Sequence, residues 1–391
     1  MAERYSPKEM LAKLVAFPTV SRDSNLELID WVEEYLSGHG VECRRVYNDE
    51  GDKANLYALV GPESPGGVIL SGHTDVVPID GQEWDTDPFE LVEKNGRLYG
   101  RGSCDMKGFD ALALALVPEM LEAGLKRPIQ IALSYDEEVG CLGAPRMIRE
   151  MRQTLPPASA VIVGEPTMMQ TVTGHKGVVG MTTHVRGFEV HSSLVHTGVS
   201  AVMTAAKLIG WLEAQMAANK AAAPAPSDDI SGAAFTPPYT TLHVGVIHGG
   251  TAHNITAKHC EFSTDIRVIP GEDVVAWRDR YLAHAAEVEA EIRKIRPEAG
   301  IDVHVRSLTP GCRKEENGAA EALVRAITGD NGEHVVAYGT EAGQFQDEGY
   351  STVICGPGSI AQAHQANEYV DIAQLDAGEA FMRKLIARLR Q

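Results

Sequence analysis

Apolar residues recur at helical spacing behind Ser6, Pro7 and Glu9 and stop before Pro18. Ser6 with Glu9 reads as a capping box, with proline in the first turn, so a helix opens the chain. A second amphipathic helix is expected near Leu26 to Leu36, ending at Gly38, and strand-like runs follow at Asn55 to Val60 and Val68 to Leu70. From there the periods alternate: a helix from about Met106 to Leu125, a strand Ile129 to Tyr135, a helix Ala144 to Met151 and a strand Ala160 to Val163. Continuous apolar strands between helices predict an α/β sheet covered on both faces.

After Lys176 the texture changes. A strand-like run (Val178 to Val185), an Ala-rich helix (Ser200 to Ala218) and a Pro/Ala/Ser linker (Ala221 to Ser231) precede two strands, Thr240 to Ile247 and His259 to Val268. A helix (Asp273 to Ile295) and a strand (Ile301 to Val305) complete a β-α-β-β-α-β order, which is the ferredoxin-like pattern and can fold as a unit. From Pro310 the first texture resumes, with a buried strand at Val353 to Cys355 and a closing helix from Leu375 to Arg388. The expected organisation is therefore a discontinuous α/β domain (1–177 and 307–391) interrupted by an inserted domain (178–306).

Composition narrows the functional classes. At 391 residues, 44% apolar and 23% charged, the chain is long enough for two or three globular domains. Its 35 Lys and Arg against 54 Asp and Glu leave a formal charge of -19, which repels phosphate backbones and anionic membrane surfaces, so no nucleic acid and no membrane is expected as partner. Cys43, Cys104, Cys141, Cys260, Cys312 and Cys355 are scattered, without a C-x-x-C pair, and read as reduced thiols. The first twenty residues hold no signal-type apolar core and no run approaches the length of a membrane helix, so the expected location is cytoplasmic.

Candidate chemistry gathers where strands end. His73 and Asp75 stand two residues apart after the strand through Leu70, hence on one side if the chain stays extended, a pairing that suits a ligating histidine steadied by a carboxylate. Asp105 lies in the glycine-rich stretch Gly100-Arg101-Gly102-Ser103-Cys104-Asp105 before a helix, Glu137 and Glu138 follow one strand, Glu165 follows another, and His364 follows the loop after Cys355. Singly each has an ordinary reading as a core histidine, a helix cap or a solvated acid. Jointly they sit past the carboxyl ends of strands, where open α/β sheets build their ligand crevice. Two histidines with several carboxylates and no matching cysteine suit zinc, cobalt or manganese, and a bridging carboxylate would allow two ions.

The motifs His73-Thr74-Asp75-Val76-Val77-Pro78, Asp105-Met106-Lys107-Gly108, Asp136-Glu137-Glu138-Val139-Gly140 and Gly164-Glu165-Pro166-Thr167 resemble the acetylornithine deacetylase and succinyl-diaminopimelate desuccinylase family of di-zinc amidohydrolases. The resemblance covers essentially the whole chain. It implies a mixed-sheet, zinc-peptidase-like catalytic domain with an inserted dimerisation or lid domain, acting as a homodimer with two divalent metal ions, Zn2+ or alternatively Co2+. Carried over residue by residue, Asp105 bridges the ions, His73 and Glu165 complete one site, and Glu138 and His364 the other. Asp75 supports the site, and Glu137 is the general base that takes a proton from water and returns it to the departing amine. His191, in Val190-His191-Ser192-Ser193, matches a lid histidine that reaches a neighbouring subunit's site; His196 lies nearby. Asn254 and Arg267 resemble anchors for a substrate carboxylate, and Gly339 and Thr340 offer backbone donors. Glu341 and Asp347 are candidates for meeting a substrate amine.

Gly356-Pro357-Gly358-Ser359, Gln362-Ala363-His364 and Glu368-Tyr369 resemble the acetylornithine deacetylase branch, with His253 where that branch has an aliphatic residue. The expected substrate is a small N-acyl amino acid, N2-acetyl-L-ornithine first. Succinyl-diaminopimelate, acetylcitrulline and a broad aminoacylase range are the alternatives. A metal-free binding protein on the same fold is the rival of another class, and the presence of Glu137 beside every expected ligand argues against it.

Overall fold

The computed structural model describes residues 3–223 and 235–391, so most of the expected linker Ala221 to Ser231 lies outside the described residues. Two compact units form: Met1–Gly174 with Lys314–His334 and Thr340–Gln391, and His175–Arg313 with Val335–Gly339. The return of 335–339 to the second unit is a crossing that the hydropathy pattern does not reveal. Within that unit Gly339 packs closely, since a Cβ there would lie 2.7 Å from the Val178 side chain.

The first unit is built on strands that run side by side in the order Cys43–Tyr47, Ala54–Val60, Ile129–Ser134, Gly67–His73, Ala158–Pro166, Thr352–Gly356 and Val172–His175. The strands Ile129–Ser134, Gly67–His73, Ala158–Pro166 and Thr352–Gly356 run parallel to one another. Their side chains are buried along nearly the whole length, as expected for strands with helices on both faces. Because the four are parallel, their carboxyl ends share one edge of the sheet, and this places His73, the 136–138 turn, Glu165 and the 357–364 loop together.

Close packing of helix Lys107–Ala115 onto this sheet depends on two glycines. A Cβ on Gly164 would fall 1.9 Å from the Phe109 ring, and one on Gly72 would fall 2.0 Å from the Asp110 carboxylate. Both glycines precede site residues, Glu165 and His73, so the same contact that seats the helix also fixes the strand ends that carry them. The opening helix Pro7–Val15 has the capping box foreseen, with the Ser6 side chain accepting from the Glu9 amide and the Glu9 side chain accepting from the Ser6 amide. The long helix expected from Met106 to Leu125 is instead two, Lys107–Ala115 and Val117–Glu122, because Pro118 has no amide hydrogen to continue the ladder. Short strands Val92–Lys94, Arg97–Tyr99 and Tyr369–Asp371 form a small antiparallel sheet that apolar patterning did not predict.

The second unit has a four-stranded antiparallel sheet in the order Thr241–Gly249, His259–Val268, Gly177–Arg186, Gly300–Thr309, with helices Ala201–Ala222 and Val274–Ile295. In chain order the strands read second, third, first, fourth, which is the ferredoxin-like arrangement. Alternation is strict in His259–Val268: Cys260, Phe262, Thr264, Ile266 and Val268 are buried, and the intervening positions are not. Val179, Met181, Phe262 and Ile266 pack against Leu208, Leu212, Trp277 and Tyr281 of the two helices. Each such side chain contributes about 1.5–3 kcal/mol of apolar burial. The expected α/β fold with a ferredoxin-like insertion is thus the fold observed, and no described helix is long and apolar enough to cross a membrane.

Candidate metal centre

Six of the expected residues converge in the first unit. Among the described residues, two groups offer ligand atoms all within 4.8 Å of one another: His73, Glu137 and Glu165, and His73, Asp105 and Glu138. Asp105 joins them. Its Oδ1 lies 3.1 Å from His73 Nε2, and its Oδ2 lies 3.2 Å from His364 Nε2. His364 Nε2 also lies 2.9 Å from Glu138 Oε2, and His73 Nε2 lies 3.9 Å from Glu165 Oε1. Each oxygen of one carboxylate therefore faces a different imidazole, and each imidazole has a second acid beside it.

Register explains the His73–Glu165 side of this arrangement. Ser71 is aligned with Val163 in the parallel pair, so His73 and Glu165, each two residues on, point the same way from adjacent strands. Asp105 arrives from the turn before helix Lys107–Ala115. Asp136 and His364 hold the left-handed backbone region, with φ of 56° and 62°, uncommon for residues with a Cβ and a mark of loops shaped around a site.

The role expected of the Asp75 carboxylate is corrected by the geometry. His73 Nδ1–H donates to the backbone carbonyl of Asp75 at 2.8 Å, while the Asp75 carboxylate is 3.7 Å away. The bond to a carbonyl, which can only accept, places the proton on Nδ1 and leaves Nε2 toward Asp105. The carboxylate of Asp75 instead accepts the backbone amides of Glu137 at 3.1 Å and Glu138 at 3.3 Å, and the hydroxyl of Ser21 at 2.7 Å. Those amides lie in a turn with no strand partner, and a carboxylate is the acceptor they find. Asp75 thus steadies the turn bearing Glu137 and Glu138 while its own backbone orients His73.

The electrostatics are those of too many acids for the cations present. Burial, with Glu138, Glu341 and Asp105 nearby, pushes Glu137 well above the usual carboxylic range, against the pull of His73. Burial and the charges of Asp105 and Glu137 do the same to Glu165. Glu138 is raised by burial and Asp105 to about 7. Burial also opposes the charge of Asp105, but its hydrogen bonds with His364 and His73 win and hold it below the usual range. His364 is raised to about 10, chiefly by its hydrogen bond with Asp105 and then Glu138. Desolvation would lower His73, yet Asp105, Glu137 and Glu165 raise it well above an ordinary histidine. Bound cations would offset the cost of keeping these crowded carboxylates charged. The donor set of imidazole nitrogen and carboxylate oxygen, with one carboxylate facing both ways, fits a pair of divalent ions of borderline softness.

The remaining expectations fall elsewhere. His191, Asn254, Arg267 and Gly339 belong to the second unit. There His191 is exposed and bridges to Ile255, and the Asn254 carbonyl accepts the Ser192 amide at 2.9 Å, so His191 and Asn254 stand on adjoining segments. Arg267 pairs with Asp265 at 3.0 Å. Thr340 is buried in the first unit, and its hydroxyl accepts the Ala342 amide at 3.0 Å. Glu341 is corrected as a candidate for meeting a substrate amine: it is 1% exposed, and its carboxylate accepts the hydroxyls of Ser71 and Ser134. Sequence reasoning missed Ser21, Arg101 and the Cys141 thiol, which donates to Glu137 Oε1 at 3.2 Å. Arg101 and Cys141 were signalled only by adjacency to a motif, and Ser21 by nothing in the sequence.

The family model described as Peptidase family M20/M25/M40 matches residues 69–388. Acetylornithine deacetylase of Myxococcus xanthus is 35% identical over 96% of this chain and 96% of its own, and that of Pasteurella multocida 33% identical over 97% of each. Among solved structures, an M20 family metallo-carboxypeptidase of Sulfolobus solfataricus superposes with a TM-score of 0.76 at 18% identity, over 99% of both chains. A dinuclear metal binding peptidase of Bacillus subtilis does so with a TM-score of 0.60 at 13% identity, over 98% of this chain and 97% of that one.

Proposed function

Because the chain belongs to Peptidase family M20/M25/M40 and is a metal-dependent amidohydrolase, we propose that it hydrolyses the N2-acetyl amide of N2-acetyl-L-ornithine to L-ornithine and acetate, a step of arginine biosynthesis. The chemistry is carried by one observation, the two oxygens of Asp105 each facing an imidazole. The choice of substrate is supported by the two deacetylases that match along almost the full length.

In this reading His73 and Glu165 hold one ion, Glu138 and His364 the other, and Asp105 both. Zn2+ is the ion proposed and Co2+ the substitute, on the donor chemistry. When bound, such a pair supplies Lewis acidity that polarises a carbonyl and acidifies water. Glu137, left out of the ligand set, takes a proton from the attacking water and hands it to the departing amine. Its carboxylate stands with ligand atoms of His73 and Glu165 all within 4.8 Å of one another, within reach of a water at the site. Asp75 keeps Glu137 in place through the backbone amide it accepts.

Asn254 and Arg267 are proposed to bind the substrate carboxylate, Arg267 exchanging Asp265 for it, with backbone donors at Gly339 and Thr340. The reading includes a homodimer in which His191 serves the neighbouring subunit. It is supported by the outer strand Thr241–Gly249, where Val246 and Ile247 are 50% and 48% exposed. Cytoplasmic location is proposed in keeping with the free thiols of Cys43, Cys104, Cys141, Cys260 and Cys355.

The deciding experiment measures amine release from N2-acetylornithine, succinyl-diaminopimelate, acetylcitrulline and a range of N-acyl amino acids, at defined Zn2+ or Co2+ loading. N2-acetylornithine is expected to lead in kcat/KM by about tenfold or more, a preference of about 1.4 kcal/mol. A higher value for a competitor reassigns the substrate; no hydrolysis of any of them overturns the function. For the shared histidine, His191→Ala is expected to lower turnover without releasing metal. Mixed dimers with an inactive Glu137 variant should then recover part of the rate, and verified mixed dimers that recover none argue that His191 does not cross.

A further inference from the structure

Glu368 lies four residues beyond His364 and is 1% exposed, as is its partner Arg101, whose Nη1 sits 2.7 Å from Glu368 Oε2. The carboxylate has more than one partner. Its Oε1 accepts the backbone amides of Cys104 at 2.9 Å and Asp105 at 3.1 Å, and its Oε2 also accepts the Gly102 amide at 3.1 Å. The 101–105 turn has no strand or helix ladder of its own, so these three amides depend on Glu368. Arg101 reaches the other way. Its Nη1 donates to the Gln365 carbonyl at 3.3 Å, and its Nη2 to the Gln82 side chain, which in turn donates to the His364 carbonyl at 2.9 Å.

We propose that Glu368, paired with Arg101, is a positioning residue that ties the turn carrying Asp105 to the loop carrying His364 and thereby sets the affinity of the site for its two divalent ions. It rests on the metal reading above. A buried ion pair is a poor device for stability alone, since an apolar pair of equal volume serves as well or better. This one spends its hydrogen bonds on the two segments that bear ligands. Asp105 can face both imidazoles only while the two segments keep their spacing, and coordination tolerates displacements of a few tenths of an ångström. Residues that orient ligands in this manner typically change metal affinity by 10- to 100-fold when lost.

The test is Glu368→Gln in the full-length protein, stripped of metal and titrated with Co2+ and Zn2+ against a competing chelator. Thermal unfolding and the Co2+ absorption spectrum are recorded alongside. Glutamine keeps the shape but sets an amide NH2 against either Arg101 or the backbone amides. The expected result is weaker uptake, by roughly 10- to 100-fold for at least one ion, with an altered Co2+ spectrum. Wild-type affinities and spectrum, even with a lowered melting temperature, overturn the proposal, because a merely structural role moves only the melting temperature. Where Glu368→Gln does not fold, Gln82→Ala decides: it leaves the Glu368–Arg101 pair in place, cuts the link from Arg101 to the His364 carbonyl along with the bond from the Trp84 indole, and is expected to weaken one ion by about tenfold. Unchanged binding of both ions in that variant sinks the clamp. Wild-type protein that takes up fewer than two ions brings down the metal reading first, and the clamp with it.

Discussion

Glu137→Gln is expected to retain both ions and the fold while losing roughly 10²- to 10⁴-fold in kcat, with KM within a few-fold of the parent. The side chain is the one acid of the cluster assigned neither to an ion nor to a structural hydrogen bond of the sheet. Glutamine preserves its volume and its acceptor oxygen near the Cys141 thiol, and removes only the capacity to take up a proton. The measurement is steady-state kinetics beside metal analysis of the same preparation. Full activity reassigns the base, and loss of metal in step with activity moves Glu137 into the ligand set.

Asp105→Ala is expected to be more damaging, because one side chain serves both halves of the site. Without it, His73 keeps its burial and both imidazoles keep their other acidic neighbours, but they lose the group that faces them both. Removing one partner from a buried charged set costs about 3–5 kcal/mol, or roughly 10²- to 10⁴-fold in affinity for the ion pair. Activity should fall to background at ordinary metal concentrations. Equilibrium dialysis or competition with a chelator reads the affinity directly. Asp105→Glu separates charge from reach: restored charge with displaced oxygens is expected to recover binding only in part. An alanine variant that still binds two ions at parental affinity would falsify the bridging assignment.

Much of the scaffold was legible in hydrophobic spacing. The buried central strands read as continuous apolar runs because that pattern is the direct imprint of two covered faces. The capping box at Ser6 and Glu9 was equally plain, being a local hydrogen-bond exchange within four residues. Three- and four-residue strands were not, since Val92–Lys94 and Arg97–Tyr99 are too short to carry a period, and the second of them is completed by pairing with the distant Tyr369–Asp371. Pro118 marked the break in the long helix in plain view, yet the apolar pattern ran through it.

The site shows the same division. Residue types and their order, His73, Asp105, Glu137, Glu138, Glu165 and His364, were present in the chain as separated motifs, and an imidazole and carboxylate set has a chemistry that does not wait on coordinates. Whether Asp105 turns one oxygen to each imidazole, whether Asp75 grips His73 or the Glu137 turn, and whether Glu341 is open to a ligand or sealed between Ser71 and Ser134 depended on groups brought together from opposite ends of the chain. Covalent order determines which donors and apolar periods exist. Only packing decides which buried donor finds which acceptor, because that choice is made by the desolvation of every neighbour at once.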